Sequence, residues 1–446
     1  MKEPLFSLPE AIPPQENSGP GKPRLETANR QQVEMHLASL DELLPEDHRA
    51  RVVWGMVQEY DLSALYAGIQ AVEGEAGRPA IDPRLLMAVW LYATAEGVGS
   101  ARALARLCEE HLAYRWLLGG VSVNYHTLAD FRVQHEAELD QLLTRSVAAL
   151  MRAGLVELKR TAQDGVRVRA SAGGNSFHRK ETLEECLQEA EVRVQQLKQE
   201  QEGGEGSQVS RRQQAARERH AQERLERVKQ AMQEVEQVAA QKAKNRESRR
   251  KKHPARASSS DGQARIMKMP DGGFRPAYNA QVNVDMPSRI IVGVAVSNQA
   301  DTHLLQPMLE QTQQRYGRLM EEHYVDGGFR SNAGITAAGK CGVSIYTPIP
   351  RSYNKTSLHL PEEVLPSDSQ QVAEWKQRMI SEEAKQKYKE RASTVEWVNA
   401  LVRNRGLYRF VVRSVSRVRS ILLWHALAHN LLQTVQLRLA SQVATR

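Results

Sequence analysis

The order of strand-like and helix-like segments in the C-terminal half restricts the fold of this chain more than any other sequence feature. Two segments rich in β-branched residues, 280–284 and 290–296, flank the sequence Asp-Met-Pro-Ser, which is typical of a β-hairpin. A helical segment at residues 302–316 follows, and two short strand segments end at Asp326 and Tyr346. Strands that alternate with helices in this way predict a mixed α/β domain.

The preceding half of the chain has a helical pattern. Asp82 and Pro83 form an N-cap and first-turn pair ahead of an apolar run, and Ser100 begins a second helical segment. Thr127 with an acid three residues later resembles a capping box, and we expect it to begin a helix that holds Phe131. These signals predict an all-helical N-terminal domain with a role in DNA binding, dimerisation or structure alone.

Residues 181–246 are almost free of aromatic residues and predict a helical hairpin. Apolar residues recur there at alternating spacings of four and three on both sides of a glycine-rich break at 203–207. The first arm, residues 181–205, carries 8 acidic and 2 basic residues. Between Arg211 and Arg256 the chain carries 15 Lys or Arg and 6 Glu. Opposite charges on the two arms favour an antiparallel coiled coil.

The distribution of charge suggests a polyanionic partner. The chain has a formal net charge of +8, and the second arm of the hairpin accounts for the whole surplus. At the base of the hairpin, four adjacent residues are positively charged and are expected to contact nucleic acid: Arg249, Arg250, Lys251 and Lys252. A second basic run without acids follows residue 402, from Arg403 to Arg419.

The cysteine content and the hydropathy pattern exclude some classes of protein. The three cysteines are widely spaced and form no C-x-x-C motif, which argues against a disulfide framework or a zinc finger and for a reducing cytoplasm. No apolar segment is long enough to cross a membrane, so no membrane partner is expected.

Three acidic residues that are far apart in sequence could form a metal site. Asp164 and Asp326 each precede a glycine at a predicted strand end, and Glu396 lies in a helical segment, residues 382–404. Such carboxylates provide the hard oxygen ligands that divalent cations prefer. On a regular helix, Arg403 would share the face of Glu396, whereas Arg391 would lie about 140° away.

Other interpretations of these residues remain open at this stage. The spacing of the acid and the arginines fits an exposed, salt-bridged helix equally well. The dipeptide Asp164-Gly165 could be a simple turn. Asp301 could replace Asp326 as the second acid, although an N-cap role for it is more economical. We expect His425 and Trp397 to be core residues rather than ligand contacts.

Several short motifs point to a family that the chain resembles. With Asp164, Asp326 and Glu396 in this order, it resembles the DDE transposases of bacterial insertion sequences. The motifs are Trp90-Leu91-Tyr92, Thr127-Leu128-Ala129-Asp130-Phe131-Arg132, Asp164-Gly165, Tyr278-Asn279-Ala280-Gln281, Asp326-Gly327-Gly328-Phe329, a Tyr-Arg-Glu-Lys signature at Tyr388, Arg391, Glu396 and Arg403, and the tail His425-Ala426-Leu427-Ala428-His429-Asn430-Leu431. Arg403 stands where this signature usually has lysine, and it preserves the charge.

The resemblance implies a domain organisation. It comprises a disordered proline-rich tail at 1–40, the helical N-terminal domain at 41–155, an RNase H-like catalytic domain at 156–435 that the charged hairpin at 178–256 interrupts, and a short tail at 436–446. The fold class is therefore α/β, or α+β over the whole chain.

The resemblance also implies a function. Asp164, Asp326 and Glu396 would bind two Mg²⁺ or Mn²⁺ ions and catalyse cleavage and strand transfer at the terminal inverted repeats of an insertion sequence. Tyr388, Arg391 and Arg403 would position phosphates of double-stranded DNA. A homodimer bound to DNA in the bacterial cytoplasm, at the nucleoid, would follow. The alternatives are a metal-dependent nuclease of the same fold and a non-catalytic DNA-binding protein derived from a transposase.

Overall fold

The structure is a computed structural model that describes most of the chain. The described residues are 31, 33, 38–71, 79–202, 208–243, 254–299, 301–350, 360 and 362–444. Most of the expected proline-rich tail lies outside these residues. The basic cluster Arg249, Arg250, Lys251 and Lys252 also lies outside them.

In the described ranges, the N-terminal part forms seven α-helices. They are α1 (Arg49–Gln58), α2 (Ser63–Tyr66), α3 (Pro83–Ala95), α4 (Ala101–Glu110), α5 (Leu112–Leu118), α6 (Tyr125–Gln134) and α7 (Glu136–Arg152). The predicted start of α3 is confirmed, because the Asp82 side chain accepts a hydrogen bond of 2.8 Å from the Arg84 amide and Pro83 lies in the first turn. Ser100 caps α4 as predicted.

The expected capping box at Thr127 is wrong. The cap of α6 is Asn124, whose Oδ1 accepts a hydrogen bond of 2.9 Å from the Thr127 amide. Asparagine is as good an N-cap as serine or aspartate, and it lies three residues nearer the start of the helix. Phe131 does lie in this helix.

A mixed sheet forms the second half of the fold. Its strands are β1 (Arg160–Arg169), β4 (Arg265–Lys268), β5 (Phe274–Asp285), β6 (Ile291–Ser297), β7 (Glu322–Tyr324) and β8 (Ser344–Tyr346). β1 is central, since β5 pairs with it antiparallel on one side and β7 pairs with it parallel on the other. β8 continues the sheet parallel to β7, whereas β4 and β6 both pair antiparallel with β5. The mixed α/β order predicted from the sequence is confirmed.

Two long helices extend from the sheet between β1 and β4. They are α8 (Lys180–Glu202) and α9 (Gln208–Ala243), and a ribbon of β2 (Phe177–His178) and β3 (Ala257–Ser258) lies at their base. The helices run antiparallel, because Lys180 pairs with Glu236 at 2.9 Å and Arg224 pairs with Glu189 at 3.3 Å. A partly buried ion pair of 2.6 Å between Arg265 and Glu234 joins α9 to β4.

The remaining helices complete the α/β half. They are α10 (Leu305–Tyr316), α11 (Asn332–Lys340), α12 (Gln370–Ile380), α13 (Glu382–Lys389), α14 (Trp397–Asn404) and α15 (Val415–Ala444). Helix α15 packs against α3, α6 and α7 on one side and against β6 on the other. A single hydrophobic core therefore runs from the N-terminal helices to the sheet.

Polar contacts reinforce this packing. Arg419 of α15 donates hydrogen bonds of 2.6 Å to both Glu136 and Asp140 of α7, and Arg315 of α10 also pairs with Asp140. No helix in the described part of the chain is long and apolar enough to span a membrane.

Candidate active site

Asp164 lies in the interior of β1, opposite Val282 of β5. The expectation that it ends a strand is wrong, and so is the alternative of a turn at this dipeptide. Gly165 continues the strand, and a Cβ atom there would lie 2.4 Å from Gln281 Nε2, 2.6 Å from Asp301 Oδ1 and 2.7 Å from Asn279 Oδ1. Glycine is needed here because three polar side chains converge on its backbone.

The polar residues of β1 are buried within a hydrogen-bond network. Gln163 Nε2 donates to Gln281 Oε1 at 2.8 Å and to the Leu304 carbonyl at 3.1 Å. Thr161 Oγ1 lies 2.7 Å from His323 Nδ1. Burial lowers the pKa of His323 to about 3, so the ring is neutral at pH 7. This network accounts for a central strand that is unusually polar.

Asp326 follows the end of β7 by two residues. It caps a short 3-10 turn, Gly327–Phe329, in which its Oδ1 accepts a hydrogen bond of 2.8 Å from the Gly328 amide. Tyr388 on α13 reaches the same place, since its hydroxyl donates to the Val325 carbonyl at 3.2 Å. Asp326 and Tyr388 are therefore held at the carboxyl end of β7, the strand next to β1.

Glu396 lies in a π-helical turn, Ala392–Glu396, between α13 and α14. The amide of Glu396 approaches the carbonyl of Arg391 at 3.4 Å, an i to i+5 contact. This wider turn places the two side chains on one face, where Arg391 Nη1 donates to Glu396 Oε1 at 2.6 Å. The prediction that Arg391 lies well to one side of Glu396 is wrong, because it assumed a regular helix.

The same arginine reaches Asp164 on the central strand. Arg391 Nη2 lies 2.8 Å from Asp164 Oδ1, and Asn399 Nδ2 donates to Asp164 Oδ2 at 2.9 Å. Arg391 is only 6% exposed, whereas half of the Glu396 side chain remains exposed. A buried guanidinium thus bridges two of the three predicted acids.

The third acid belongs to the same electrostatic cluster. Burial raises the pKa of Asp164, Arg391 opposes the rise, and the negative charge of Asp326 adds to it. Burial also raises the pKa of Tyr388, with Arg391 lowering it and Asp326, Glu396 and Asp164 each raising it. The charge of Asp326 therefore acts on Asp164, and the charges of all three acids act on Tyr388.

The suitability of this cluster for a metal ion rests on its donor set. Three carboxylates present the hard oxygen atoms that Mg²⁺ and Mn²⁺ prefer. Within the described ranges, no group of three or more His, Cys, Asp or Glu side chains lies close enough to hold a metal ion. Arg391 occupies the position of a counter-charge between Asp164 and Glu396. The donor types suit a divalent cation, but in this arrangement the three carboxylates do not lie close enough together to hold one, and Arg391 would have to release Asp164 and Glu396.

Asp301 lies beside the cluster and does not cap α10, which begins at Leu305. Its Oδ1 accepts hydrogen bonds from Asn279 Nδ2 at 2.7 Å and from Gln281 Nε2 at 2.9 Å. A Cβ atom at Gly328 would lie 3.6 Å from Asp301 Oδ2 and 3.0 Å from Asp326 Oδ1, so these two acids face the same point. The N-cap interpretation of Asp301 is therefore wrong.

Sequence reasoning missed Asn399, which contacts Asp164. Asn399 follows Glu396 by three residues, about one helical turn. This spacing from a predicted acid was the signal that could have found it. It also left Asn279 and Gln281 without a role, although both lie in a motif that supported the resemblance. Their amides hold Asp301 in place.

The structure places the remaining predicted residues in different surroundings. Arg403 is exposed on α14, and no ion pair or hydrogen bond of its side chain is found within the described residues. Trp397 is 37% exposed and packs under the Arg289 guanidinium at 4.8 Å, so the prediction of a core residue is wrong. His425 is buried, as predicted.

Comparison with known proteins identifies a relationship in the N-terminal half. Residues 38–134 match the family model of a transposase domain (DUF772). This segment contains helices α1 to α6 and ends before the sheet. A search of curated proteins found no match. The match supports a transposase role and a DNA-processing enzyme.

Proposed function

We propose that this protein is a DDE transposase with an RNase H-like catalytic domain. It would cleave DNA at the terminal inverted repeats of an insertion sequence and transfer the strands to a target. The observation that carries the proposal is that one buried arginine, Arg391, pairs with both Asp164 and Glu396, while the nearby charge of Asp326 raises the pKa of Asp164. The match of the N-terminal helices to a transposase domain supports the same conclusion.

The sheet is compatible with this proposal. Its first strand is central, a hairpin lies on one side and parallel strands lie on the other. Asp164 lies in β1 and Asp326 follows the end of the neighbouring strand β7, so the pairing of these strands brings two acids distant in sequence to the same part of the sheet. Double-stranded DNA is the substrate, and pairing of two element ends requires at least a homodimer in the DNA complex, in the cytoplasm at the nucleoid.

The side chains have separate tasks in this proposal. Asp164, Asp326 and Glu396 would hold Mg²⁺ or Mn²⁺, which would supply activation of the attacking oxygen and stabilisation of the leaving oxygen. Asn399 orients Asp164, and Tyr388 is anchored beside Asp326. Arg391 neutralises two carboxylates, and its Nε has no partner, which leaves one donor for a DNA phosphate. Arg403 is exposed on the same helical segment and adds a second phosphate contact.

One observation favours a second candidate function. The ion pairs of Arg391 with Asp164 and Glu396 give a stable arrangement that requires no metal. A DNA-binding protein derived from a transposase, without catalytic activity, would retain these contacts. A nuclease of the same fold would cut DNA without joining it.

Incubation of the purified protein with Mg²⁺ and DNA that carries the ends of its own element separates these candidates. Strand-transfer products that disappear in Asp326→Asn support a transposase. Cleavage without joining supports a nuclease, and binding without any cutting in the unaltered protein supports the non-catalytic alternative. Asp271→Asn is the matched control, since Asp271 is an exposed acid paired with Arg275 in the turn before β5.

A further inference from the structure

A groove lies between the N-terminal helices and the segment that follows α14. It encloses about 460 Å³, and its walls include Thr94, Arg132, Arg405, Tyr408, Arg409 and His425. Arg132 and His425 come from two motifs that supported the family resemblance and have no task in the candidate active site. Among the described residues that line the groove, three are arginines and none is acidic.

Arg132 is a buried cation without a carboxylate partner in the described part of the chain. It is 5% exposed, its guanidinium lies 4.5 Å from the centre of the Trp90 ring, and Nη1 donates to the Gly99 carbonyl. Its Nε is buried without a hydrogen-bond partner. Burial lowers the pKa of Arg132 to about 10, so the side chain is still protonated at pH 7. A buried charge of this kind is costly unless an anion accompanies it.

Arg405 brings a second cation to the groove. It directly follows α14, and its Nη1 is buried without a hydrogen-bond partner. Burial lowers the pKa of Arg405, Arg49 lowers it further, and Glu96 raises it. Glu96 is already paired with Arg49 at 2.6 Å, so it does not serve as the partner of Arg405.

Two unpaired polar atoms from other elements line the same groove. Thr94 Oγ1 on α3 and His425 Nδ1 on α15 are both buried and lack hydrogen-bond partners. Thr94 is 2% exposed and His425 is 6% exposed. Side chains from four parts of the fold thus bring unpaired polar atoms to the same groove. Buried polar atoms ordinarily have hydrogen-bond partners.

The walls of the groove are fixed to the backbone of both halves of the molecule. Gly406 has φ +94°, and a Cβ atom there would lie 3.2 Å from the Gly97 carbonyl oxygen. The segment after Gly406 runs beside the end of β1, because Arg169 N donates to the Tyr408 carbonyl at 3.3 Å and Phe410 N donates to the Arg169 carbonyl at 2.8 Å. The groove is therefore attached to the strand that carries Asp164.

We propose that this groove binds a phosphate group of the DNA backbone between Arg132 and Arg405. The inference rests on the proposed function, since it assigns to DNA a second contact besides the three acids. Arg132 is buried and Arg405 is partly buried, and no carboxylate among the described residues pairs with either guanidinium group. Two such groups suit a tetrahedral anion, and their donors suit its oxygens. At the rim, Tyr408 is 70% exposed and Arg409 is exposed, which suits the sugar and base beside the phosphate.

The salt dependence of duplex binding tests this site in the full chain. Arg405→Gln should weaken binding of a short DNA duplex and reduce the slope of log K against log salt by about 1, the effect of one lost phosphate contact. Arg405→Lys should retain most of the slope. Arg318→Gln is the control, because Arg318 is an exposed arginine after α10 that lies outside both basic runs and does not line the groove.

Competition identifies the source of the phosphate. Inorganic phosphate, added at constant ionic strength, should displace duplex from the unaltered protein and have a weaker effect on Arg405→Gln. An unchanged slope in Arg405→Gln, or an equal loss in Arg318→Gln, would overturn the proposal. Phosphate binding that depends on Arg405 while duplex binding does not would overturn the assignment to DNA. Failure of the unaltered protein to bind any duplex would instead count against the proposed function, so the two failures are distinguishable. Arg132→Lys keeps the buried charge and, like Arg405→Lys, should retain most of the slope.

Discussion

Gly165 shows how one missing side chain shapes the candidate site. Beside it, the amides of Asn279 and Gln281 orient Asp301, and the preceding residue, Asp164, contacts Arg391 and Asn399. The contacts that orient Asp301 bring side chains of β5 close to the backbone of β1. A dipeptide that would be a turn in many proteins is here a packing requirement in a central strand.

Gly165→Ala should therefore destabilise the protein. The added methyl group would lie 2.4 to 2.7 Å from three side-chain atoms, which must shift together. We expect a loss of about 1–3 kcal/mol, as for other overpacked sites, measured by thermal or urea unfolding. Gly173→Ala is the control, since a Cβ atom there meets nothing within 4 Å and φ is −91°. Equal stability of the two variants would contradict this role of Gly165.

At the residue scale, features that depend on neighbouring residues could be predicted from the sequence, and features that depend on tertiary contacts could not. The caps at Asp82 and Ser100 depend only on residues a few positions away, and the sequence predicts both. The burial of Gln163 depends on Gln281 and His323 from other strands, so its polarity misleadingly suggests an exposed segment.

The π turn is the element that places Glu396. A regular helix would separate Arg391 and Glu396 by about 140°, whereas the wider turn brings their side chains to 2.6 Å. No feature of residues 392–396 alone predicts this turn, because its stabilising contact is with Asp164, which is distant in sequence. Such turns are frequent at functional sites.

Insertion of one alanine after Ser393 should displace Glu396 from Arg391, because six positions on a regular helix leave the two residues about 120° out of line. Ser393 is exposed and its hydroxyl bonds only the Glu390 carbonyl, so the insertion disturbs little packing. We expect DNA cleavage to fall by roughly 10²-fold, as for other misplaced catalytic groups. Ser393→Ala should retain activity. Far-UV circular dichroism checks the fold, and full activity of a folded insertion variant would contradict the role of the turn.

At the scale of the whole molecule, α15 unites the N-terminal helices with the sheet. This arrangement buries His425 and His429, while His323 is buried within the sheet. Burial lowers the pKa of His323 and His425 to about 3 and that of His429 to about 4. Helical and strand segments were predictable from their periodicity, but the shared core was not, because it depends on contacts between opposite ends of the chain.

These histidines should make the protein sensitive to acid. Each folded-state pKa lies below the unfolded value of about 6.5, so the unfolded chain binds protons first as the pH falls. Their stabilising contribution is complete above pH 6.5 and declines toward pH 4, by about 1.4 kcal/mol per histidine for each pH unit.

Several carboxyl groups also have shifted pKa values. Comparison of variants separates the contribution of the histidines to the pH dependence from that of the carboxyl groups. His429→Gln should show a shallower fall in unfolding temperature between about pH 6.5 and pH 4.5 than the unaltered protein, since one titrating group is gone. His220→Gln, at an exposed position on α9, should follow the unaltered protein. Parallel curves for all three proteins would contradict the prediction.

The central claim is that Asp164, Asp326 and Glu396 form a metal-dependent DNA-cleaving site. Substitution of one ligand by a softer one tests it directly, because a thiolate binds Mg²⁺ poorly and is better tolerated by Mn²⁺. Cleavage of DNA carrying the element ends should be lost in Asp326→Cys with Mg²⁺ and at least partly restored with Mn²⁺. Undiminished cleavage by Asp326→Cys in Mg²⁺ would contradict the account.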